Sequence, residues 1–446
     1  MASAPHGPAR VTSWEVPLRP LIQSKPAVWV TFALVHAWLA VVGLVLIPQR
    51  AFWDLELYRY WMWLGLHQGQ WPVLSGGWVY PAGAIVPMLA AAPGGTGNGS
   101  HYATVWAVLV TVLDAIAVGF LLRVPRPNRP ESGGTTTGAW WWLAFLLLLG
   151  PIAMGRLDGV VVPAIVVALA TALNHPRIAS ALLTAAAWVK VAPGTLLLPM
   201  FFAVRRPWRS VVVPGALVSA VVIGAVALGG GFSHVASFLT EQDKRGLQIE
   251  SPGATPWILA GLFTSSVQPY LNDPIITWEV VGPGTLVAAT LLGILQPVAL
   301  ALVVLLLWWR RERIGAALWS GGLARTELLV RGAMVVTLVL LVFNKVGSPQ
   351  YMTWLAPPVA VALALRLPGW KATAWLSLGV AGATQLVFPW FYDEIISKGP
   401  GTTLVLAARN VALVVLLVHT VVVLLRAPRE DPSLEAPVES LAAAES

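Results

Sequence analysis

Residues 26–47, PAVWVTFALVHAWLAVVGLVLI, form an apolar run without a single Asp, Glu, Lys or Arg. A run of about 18 apolar residues or more is long enough to cross the hydrocarbon core of a bilayer as a helix. This run ends in an aromatic segment and not in a small-residue cleavage site, so we interpret it as an anchor that stays in the protein. The stretch therefore predicts a membrane protein.

Further apolar runs repeat this pattern along the chain. We predict full spans near 27–47, 102–122, 139–154, 157–174, 210–229, 285–308, 329–344, 350–366, 371–391 and 402–425. Two more apolar segments, 78–92 and 254–266, are too short to cross and are predicted to be interfacial or re-entrant. With 57% hydrophobic and 11% charged residues, the predicted fold class is an all-α polytopic membrane protein with about ten spans.

Basic segments between the runs determine the predicted orientation. With the N-terminus inside, every basic connection faces the cytoplasm, as the positive-inside rule expects. These connections are 123–130, 205–209, 308–315, 366–371 and 426–430. Orientation also accounts for the formal net charge of +8, so we predict no nucleic-acid partner.

The same topology predicts the organisation of the chain. Residues 1–26 form a cytoplasmic segment, 27–425 a single integral-membrane domain, and 426–446 a polar, acidic and disordered cytoplasmic tail. The segments 48–101 and 231–283 become extracytoplasmic loops that cover one face. The second of them is long enough to form a small structured cap.

The apolar stretch 178–208 does not fit a single span. As one helix it would carry the basic segment 205–209 to the wrong side, and Lys190 and Pro193 interrupt its middle. We therefore predict two half-length helices that form a re-entrant hairpin, with Lys190 near its tip. Non-helical backbone at that depth requires protein or a water-filled cavity around it, so the tip should face a cavity.

The segment AFWDLELYRYWMWLG, residues 51–65, places carboxylates among aromatic rings directly after the first span. Its aromatic residues favour a helix that lies in the membrane interface. Asp54 and Tyr58 share a helical face because they are four residues apart, whereas Glu56 points elsewhere. Asp54 is a candidate functional carboxylate, and the alternative is that it caps this helix.

Three cations stand where charge is expensive: Lys190, Lys345 and Arg409. Together they could hold one phosphate. The alternatives are snorkelling to the headgroups for Lys345 and Arg409, and pairing with a buried carboxylate or helix carbonyls for Lys190. In the turn GRLDG, 155–159, an ion pair between Arg156 and Asp158 is at least as plausible as a ligand contact.

Several functional classes have no support in the chain. There is no cysteine, and the scattered histidines show no metal-ligand spacing, so no metal site is predicted. The chain also lacks a P-loop, a GxGxxG and a GxSxG motif, which argues against nucleotide-driven pumps and against hydrolases of that type.

Five short motifs in a fixed order resemble glycosyltransferase family 87, whose members use polyprenyl-phosphate sugars. These are Asp54 with Tyr58, the pair Tyr80 and Pro81, the KxxP element from Lys190 to Pro193, GLQIES at 246–251, and KVGSPQY at 345–351. The resemblance runs from about residue 27 to 425 and implies the C-type membrane glycosyltransferase fold. Within the family, the chain resembles actinobacterial mannosyltransferases that build phosphatidylinositol mannosides and lipomannan. The first loop departs from the pattern, because it has DLE where a DxD or a lone Asp is expected.

The resemblance implies an enzyme of the bacterial plasma membrane with an extracytoplasmic site. Asp54 would be the catalytic base, and Lys190, Lys345 and Arg409 would bind the donor phosphate. The substrate-binding residues implied are Tyr58, Arg59, Tyr80, Arg245, Gln248, Glu250, Gln350 and Tyr351. The expected reaction is inverting transfer of mannose from polyprenyl-phosphate-mannose to a glycolipid acceptor, by a monomer without a cofactor.

Two other functions remain open at this point. Arabinofuranosyltransferases are close relatives within the family, and the residues alone do not separate the two branches. A carrier or flippase for a lipid-linked sugar would also have broken helices and intramembrane cations. Against a carrier, no inverted repeat is evident, and the isolated carboxylates gather on one face of the membrane.

Overall fold

The structure is a computed structural model that describes residues 22–125, 127, 135–241, 245–273, 276–320 and 322–426. Most of the predicted N-terminal segment, part of the basic connection 123–130 and nearly all of the C-terminal tail lie outside the described residues.

The described chain is mainly helical. The α-helices are α1 Lys25–Val41, α2 Pro48–Ala51, α3 Trp53–Gln68, α4 Ile85–Ala90, α5 Gly99–Leu121, α6 Thr136–Leu149, α7 Asp158–Thr171, α8 Pro176–Val189, α9 Leu197–Ala203, α10 Val213–Leu228, α11 Ser237–Glu241, α12 Thr255–Ala260, α13 Thr285–Ile314, α14 Ala317–Ser320, α15 Gly322–Val342, α16 Ala356–Ala364, α17 Lys371–Gln385, α18 Tyr392–Ile396 and α19 Pro400–Arg426. Short 3₁₀ turns are Ala82–Ala84, Ala92–Gly94, Gly150–Ala153, Ala192–Leu196, Phe232–His234, Pro252–Ala254 and Pro349–Leu355. Single π-helical turns are Val42–Leu46, Trp208–Val212 and Leu386–Trp390.

Six helical segments of the described chain are long and apolar enough to cross a membrane. They are Lys25–Leu46, Gly99–Leu121, Thr136–Ala153, Trp208–Leu228, Thr285–Ile314 and Pro400–Arg426. Each coincides with one of the ten predicted spans, because the free energy of transfer to lipid is a property of the local sequence. The protein is therefore an α-helical membrane protein.

The four other predicted spans have a different character. Helix α7 has 14 residues and α16 has nine, and most of their side chains are buried against other helices. Helix α15 has 21 residues but carries Arg325, Glu327 and Arg331. Helix α17 has 15 residues, of which six are buried. The count of ten spans thus stays a prediction.

The helical bundle has a centre and a periphery. Helix α6 packs against α1, α16 and α17, and α7 packs against α5, α8 and α16. In the apolar stretch of Thr136–Ala153, 67% of the residues are buried inside the protein. In that of Thr285–Ile314, only 17% are buried. The second of these helices therefore lies at the edge of the bundle and exposes an apolar surface suited to lipid.

The stretch 178–208 is broken at the predicted position. Helix α8 ends at Val189, and Lys190 follows in an extended conformation with φ −153° and ψ 129°. Pro193 has no N–H to donate to the carbonyl of Val189, so the α-helix cannot continue through it. The chain resumes as the turn Ala192–Leu196 and helix α9. A re-entrant path for these two helices remains a prediction.

The segment 231–283 contains an unpredicted β-hairpin. Strands β1, Gln268–Asn272, and β2, Thr277–Val281, pair antiparallel, with Tyr270 opposite Glu279. The backbone of 247–249 joins the outer side of β2 through Ile249 N to Trp278 O at 3.1 Å and Val280 N to Leu247 O at 2.9 Å. The predicted all-α fold class therefore has to be extended by one small β-hairpin. Each strand has only five residues, too few for an alternation of polar and apolar side chains to be recognised in the sequence.

Candidate active site

Asp54 lies in the first turn of α3 and does not cap it. The residue at the N-cap position is Phe52, and no side chain caps the helix with a hydrogen bond. The Asp54 carboxylate faces the turn before α7 instead. There, Nε of Arg156 lies 2.9 Å from Oδ2 of Asp54. The Asp54 side chain is 27% exposed, while that of Arg156 is 7% exposed. Asp54 is thus a partly accessible carboxylate held by a buried guanidinium.

The backbone around Gly155 makes this contact possible. A Cβ at Gly155 would lie 2.4 Å from Cδ1 of Phe52 and 2.7 Å from the carbonyl oxygen of Ala51, so only glycine fits. Nη1 of Arg156 donates to the carbonyl oxygens of Ala51 and Gly155, both at 3.0 Å. The turn therefore grips the start of α3 by its backbone as well as by Asp54.

Glu56 faces a different part of the molecule. Nε of Arg59 donates to Oε2 of Glu56 at 2.8 Å, and Nη1 of Arg59 donates to the carbonyl of Thr96. A Cβ at Gly99 would collide with the Glu56 carboxylate, which shows that this carboxylate packs at the start of α5. Arg59, predicted to bind substrate, links α3 to the segment before α5. The geometry thus separates the two carboxylates of the first loop.

The pairing expected within the turn 155–159 is wrong. Arg156 does not pair with Asp158, because the two side chains turn to different neighbours. Oδ2 of Asp158 lies 2.5 Å from Nζ of Lys190, and Oδ1 accepts a hydrogen bond of 2.7 Å from Nε1 of Trp354. Asp158 is completely buried. Pairing with a buried carboxylate, the alternative considered for Lys190, is what the structure contains.

Two stacked aromatic rings lie beside the Lys190 ammonium. Its Nζ lies 4.6 Å from the centroid of the Tyr351 ring, within range of a cation–π interaction. The Tyr351 ring stacks on Trp354 with centroids 4.4 Å apart. Tyr351 therefore belongs to the same cluster as Lys190.

Two tyrosines connect the two ion pairs. Tyr58 and Tyr80 share a hydrogen bond between their hydroxyl groups, and Tyr80 also interacts electrostatically with Asp54 and Lys190. Burial raises the pKa of Tyr58 well above its usual value and also raises the pKa of Tyr80. Both hydroxyls are therefore neutral at physiological pH and can donate hydrogen bonds to a ligand or to each other.

A second polar cluster surrounds Glu250. Nη2 of Arg409, on α19, donates to the backbone carbonyl of Glu250 at 2.5 Å. Gln248 and Tyr392 contact Oε2 of Glu250 at 3.1 and 3.4 Å. Arg409 is 3% exposed, and its Nε has no hydrogen-bond partner among the described residues. Such a deeply buried guanidinium is not snorkelling.

The segment 345–351 links the two clusters. The backbone N of Gln248 donates to the carbonyl of Lys345 at 3.0 Å, and the side-chain oxygen of Gln248 accepts from the N of Gly347 at 2.8 Å. Six residues after Lys345, Tyr351 lies against Lys190. Arg409 contacts the 246–251 loop, and Lys190 contacts Asp158. These two cations therefore belong to different clusters, which the segment 345–351 connects.

The remaining predicted site residues lie at the edges of these clusters. Lys345 is partly buried. Gln350, also partly buried, is the second residue of the turn that carries Tyr351, and its carbonyl accepts from the Thr353 hydroxyl at 2.6 Å. Arg245 is partly buried next to Gly246, whose N donates to Glu279.

Sequence reasoning missed several members of the site. For Arg156 and Asp158 the sequence suggested an ion pair with each other or a ligand contact, and it did not indicate their contacts with Asp54 and Lys190. Trp354 and Tyr392 carried no signal, because one Trp or Tyr among many marks no role. Within the described chain, no group of three His, Asp or Glu side chains lies close enough to hold a metal ion.

Burial of Glu250 predicts a pH-dependent stability. Burial raises the pKa of its carboxyl to about 7, while Arg409 and the Tyr392 hydrogen bond act in the opposite direction. The folded protein then binds this proton more tightly than the unfolded chain, so the contribution of Glu250 to stability is largest at low pH. It should fall by about 3 kcal/mol as pH rises from 4.5 to above 7.

The measurement is the thermal unfolding midpoint of detergent-solubilised protein between pH 5 and pH 8, followed by tryptophan fluorescence. Glu250→Gln mimics the protonated carboxyl, so it should weaken the fall in the midpoint with rising pH and stabilise the protein at pH 8. The exposed carboxylate change Glu394→Gln is the control and should keep the wild-type profile. Identical profiles for wild type and Glu250→Gln would contradict this expectation.

Comparison with known proteins identifies the family. The model of glycosyltransferase family 87 matches residues 78–331, which is more than half of the chain. No curated protein and no solved structure matches the chain. The match includes Tyr80, Arg156, Asp158, Lys190 and Glu250. Arg156 contacts Asp54, which precedes the matched region, and Glu250 contacts Arg409, which follows it. This α-helical membrane protein therefore belongs to glycosyltransferase family 87.

Proposed function

We propose that the protein transfers mannose from polyprenyl-phosphate-mannose to a glycolipid acceptor such as a phosphatidylinositol mannoside, with inversion at the anomeric carbon. The observation that carries the proposal is the accessibility of one carboxylate. Asp158 and Glu250 are 0% and 3% exposed, whereas the Asp54 side chain is 27% exposed beside the Lys190 cluster. A base must reach the acceptor hydroxyl, and Asp54 is the member of the site that can do so.

The reaction is a single displacement. The acceptor hydroxyl oxygen forms a bond to the anomeric carbon, and the bond from that carbon to the donor phosphate oxygen breaks. The hydroxyl proton passes to the Asp54 carboxylate, and the bonding electrons leave with the phosphate. A β-linked mannosyl phosphate thus becomes an α-mannoside.

The leaving group explains why one carboxylate suffices. A glycosidase needs a second carboxylic acid because an alkoxide leaves only when it is protonated. A phosphate monoester leaves as a stable anion. Its charge grows from one to about two as the bond breaks, so cations must stabilise it.

Lys190, Lys345 and Arg409 are the proposed cations for this charge. Lys190 retains protons for a further acceptor, because Nζ carries three and Asp158 takes one of them. Arg409 has its Nε available. Tyr58, Tyr80, Gln248 and Tyr351 are the proposed hydrogen-bonding and stacking partners for the sugars, with Arg245, Glu250, Gln350 and Arg59 at the edges.

Both substrates are lipids, which fits a site at the membrane surface. We propose that the site faces outward from a bacterial plasma membrane, that both termini are cytoplasmic, and that the isoprenoid chain of the donor approaches laterally from the bilayer. The aromatic helix α3, with Trp53 and Tyr60 exposed, supports an interfacial position for the entry side. No cofactor is proposed, because the lipid-linked sugar is itself a substrate.

The test is transfer of radiolabelled mannose from polyprenyl-phosphate-mannose to a phosphatidylinositol mannoside by purified protein in liposomes. The expected result is a labelled mannolipid from which an α-mannosidase releases the labelled mannose. Transfer from polyprenyl-phosphate-arabinose but not from the mannose donor would replace the donor in the proposal. Movement of the labelled donor between leaflets without transfer to any acceptor would favour a carrier instead.

A further inference from the structure

Arg156 and Asp158 share one turn but hold two different functional side chains. Arg156 lies in the turn between Gly150–Ala153 and α7, Asp158 is the first residue of α7, and the two are almost completely buried, at 6% and 0% exposed. Arg156 contacts Asp54, about 100 residues earlier, and Asp158 contacts Lys190. A buried ion pair adds little net stability, because desolvation of both charges offsets their attraction. Two such pairs on one turn therefore call for a role other than folding.

The hydrogen bonds of Arg156 leave one oxygen of Asp54 available. The guanidinium is fixed by the carbonyls of Ala51 and Gly155 and places Nε on Oδ2 of Asp54. Oδ1 of Asp54 accepts no hydrogen bond from the described residues. The atom that can take a proton is thus Oδ1, and its direction is determined by Arg156.

The hydrogen bonds of Asp158 leave it no free oxygen. Trp354 occupies Oδ1 and Lys190 occupies Oδ2, so Asp158 itself can neither accept a proton from substrate nor contact it. Its effect is to hold the Lys190 ammonium against the face of Tyr351. Asp158 therefore acts on the reaction through Lys190.

On the basis of the proposed function, we infer that Arg156 and Asp158 are positioning residues that set the distance between the base and the donor-phosphate cation. Arg156 orients Asp54 on the acceptor side, and Asp158 orients Lys190 on the donor side. The two residues are two positions apart but contact different functional side chains. Their substitutions should therefore leave different kinetic signatures.

Arg156→Lys keeps the positive charge but loses the planar fork that bridges Asp54 and the Ala51 carbonyl. Misplacement of the base should lower kcat by about 100-fold and leave the KM for donor and acceptor nearly unchanged. Full kcat in Arg156→Lys would overturn the role of Arg156, because a lysine there cannot maintain both contacts.

Asp158→Asn removes the charge that holds Lys190. The loss of a charge-assisted hydrogen bond should lower kcat/KM for the donor by about 10- to 100-fold and raise the donor KM, with the acceptor KM unchanged. In a Lys190→Met background, the same change should have an effect of about 2-fold or less, because the residue acts through Lys190. Additive effects of Asp158→Asn and Lys190→Met would overturn the role of Asp158.

All variants are compared in full-length protein in liposomes, with the thermal unfolding midpoint measured beside the kinetics. If Asp158→Asn does not fold, Trp354→Phe tests the same point, because it removes only the N–H that donates to Oδ1 of Asp158. That variant should raise the donor KM, and an unchanged donor KM would count against the inference. The control is Asp393→Asn, which breaks the exposed Arg50–Asp393 ion pair of 2.6 Å and should leave all constants unchanged.

Failure of the inference and failure of the proposed function are separate outcomes. If wild-type protein transfers no mannose, the proposed function fails, and the kinetic comparison is repeated with the arabinose donor. If wild type is active and both turn variants keep wild-type constants, only the positioning role is overturned.

Discussion

Asp54→Asn is expected to lower sugar transfer by about 10³-fold while the protein still folds and binds donor. The substitution keeps the size of the side chain and its contact with Arg156, but an amide cannot accept the proton of the acceptor hydroxyl. Because the proton is transferred in the transition state, the loss should appear in kcat and not in the KM of either substrate. The measurement is initial transfer rate at saturating donor and acceptor.

Glu56→Gln is the matched control for this prediction. Glu56 stands two residues away on the same helix and is also exposed, but its carboxylate pairs with Arg59 and packs near Gly99. The control should retain at least about half of wild-type activity, because exposed ion pairs contribute little. Strong residual turnover in Asp54→Asn would remove Asp54 as the base, and a large loss in Glu56→Gln alone would move that role to Glu56.

Arg409→Lys should lower kcat/KM for the donor by about 10²-fold or more. Lysine keeps the charge but has no planar fork, so it cannot hold the Glu250 carbonyl and present a second N–H at the position of Nε. The loss should also weaken product inhibition by polyprenyl phosphate, which carries the charge that Arg409 is proposed to bind.

Arg426→Lys provides the control on the same helix. Arg426 lies at the exposed end of α19, 17 residues from Arg409, and its replacement should change neither activity nor inhibition. The thermal unfolding midpoint is recorded for both variants. A normal midpoint with wild-type inhibition by polyprenyl phosphate in Arg409→Lys would show that Arg409 holds the 246–251 loop and does not bind phosphate.

The membrane spans and the helix break were predictable from the sequence, because hydrophobicity and backbone geometry depend on a few neighbouring residues. The first span, predicted at 27–47, is Lys25–Leu46, and the last, predicted at 402–425, is Pro400–Arg426. The break near Lys190 was also predictable, because Pro193 prevents a backbone hydrogen bond whatever its surroundings. The separation of Asp54 from Glu56 followed from helical geometry alone.

Contacts between distant segments were not predictable in the same way. The order of motifs indicated that Asp54, Lys190 and Tyr351 belong to one site, but it did not show which side chains hold them. Proximity in sequence suggested an Arg156–Asp158 pair, whereas the structure pairs each with a partner more than 30 residues away. Two charged side chains close together in sequence point apart when each finds a buried partner of opposite charge on another segment.

The sequence by itself determined that this is a membrane protein and which six segments form its long apolar helices. It also determined where one helix breaks and that a carboxylate lies in the first turn of the helix after the first span. These are properties of short windows, since hydrophobicity and backbone geometry act over a few residues. Only the tertiary structure decided that Arg156 holds Asp54, that Asp158 holds Lys190, and that Arg409 lies buried under the 246–251 loop. The physical reason is that an ion pair forms where packing brings two segments together and excludes water, and neither condition can be read from one segment alone.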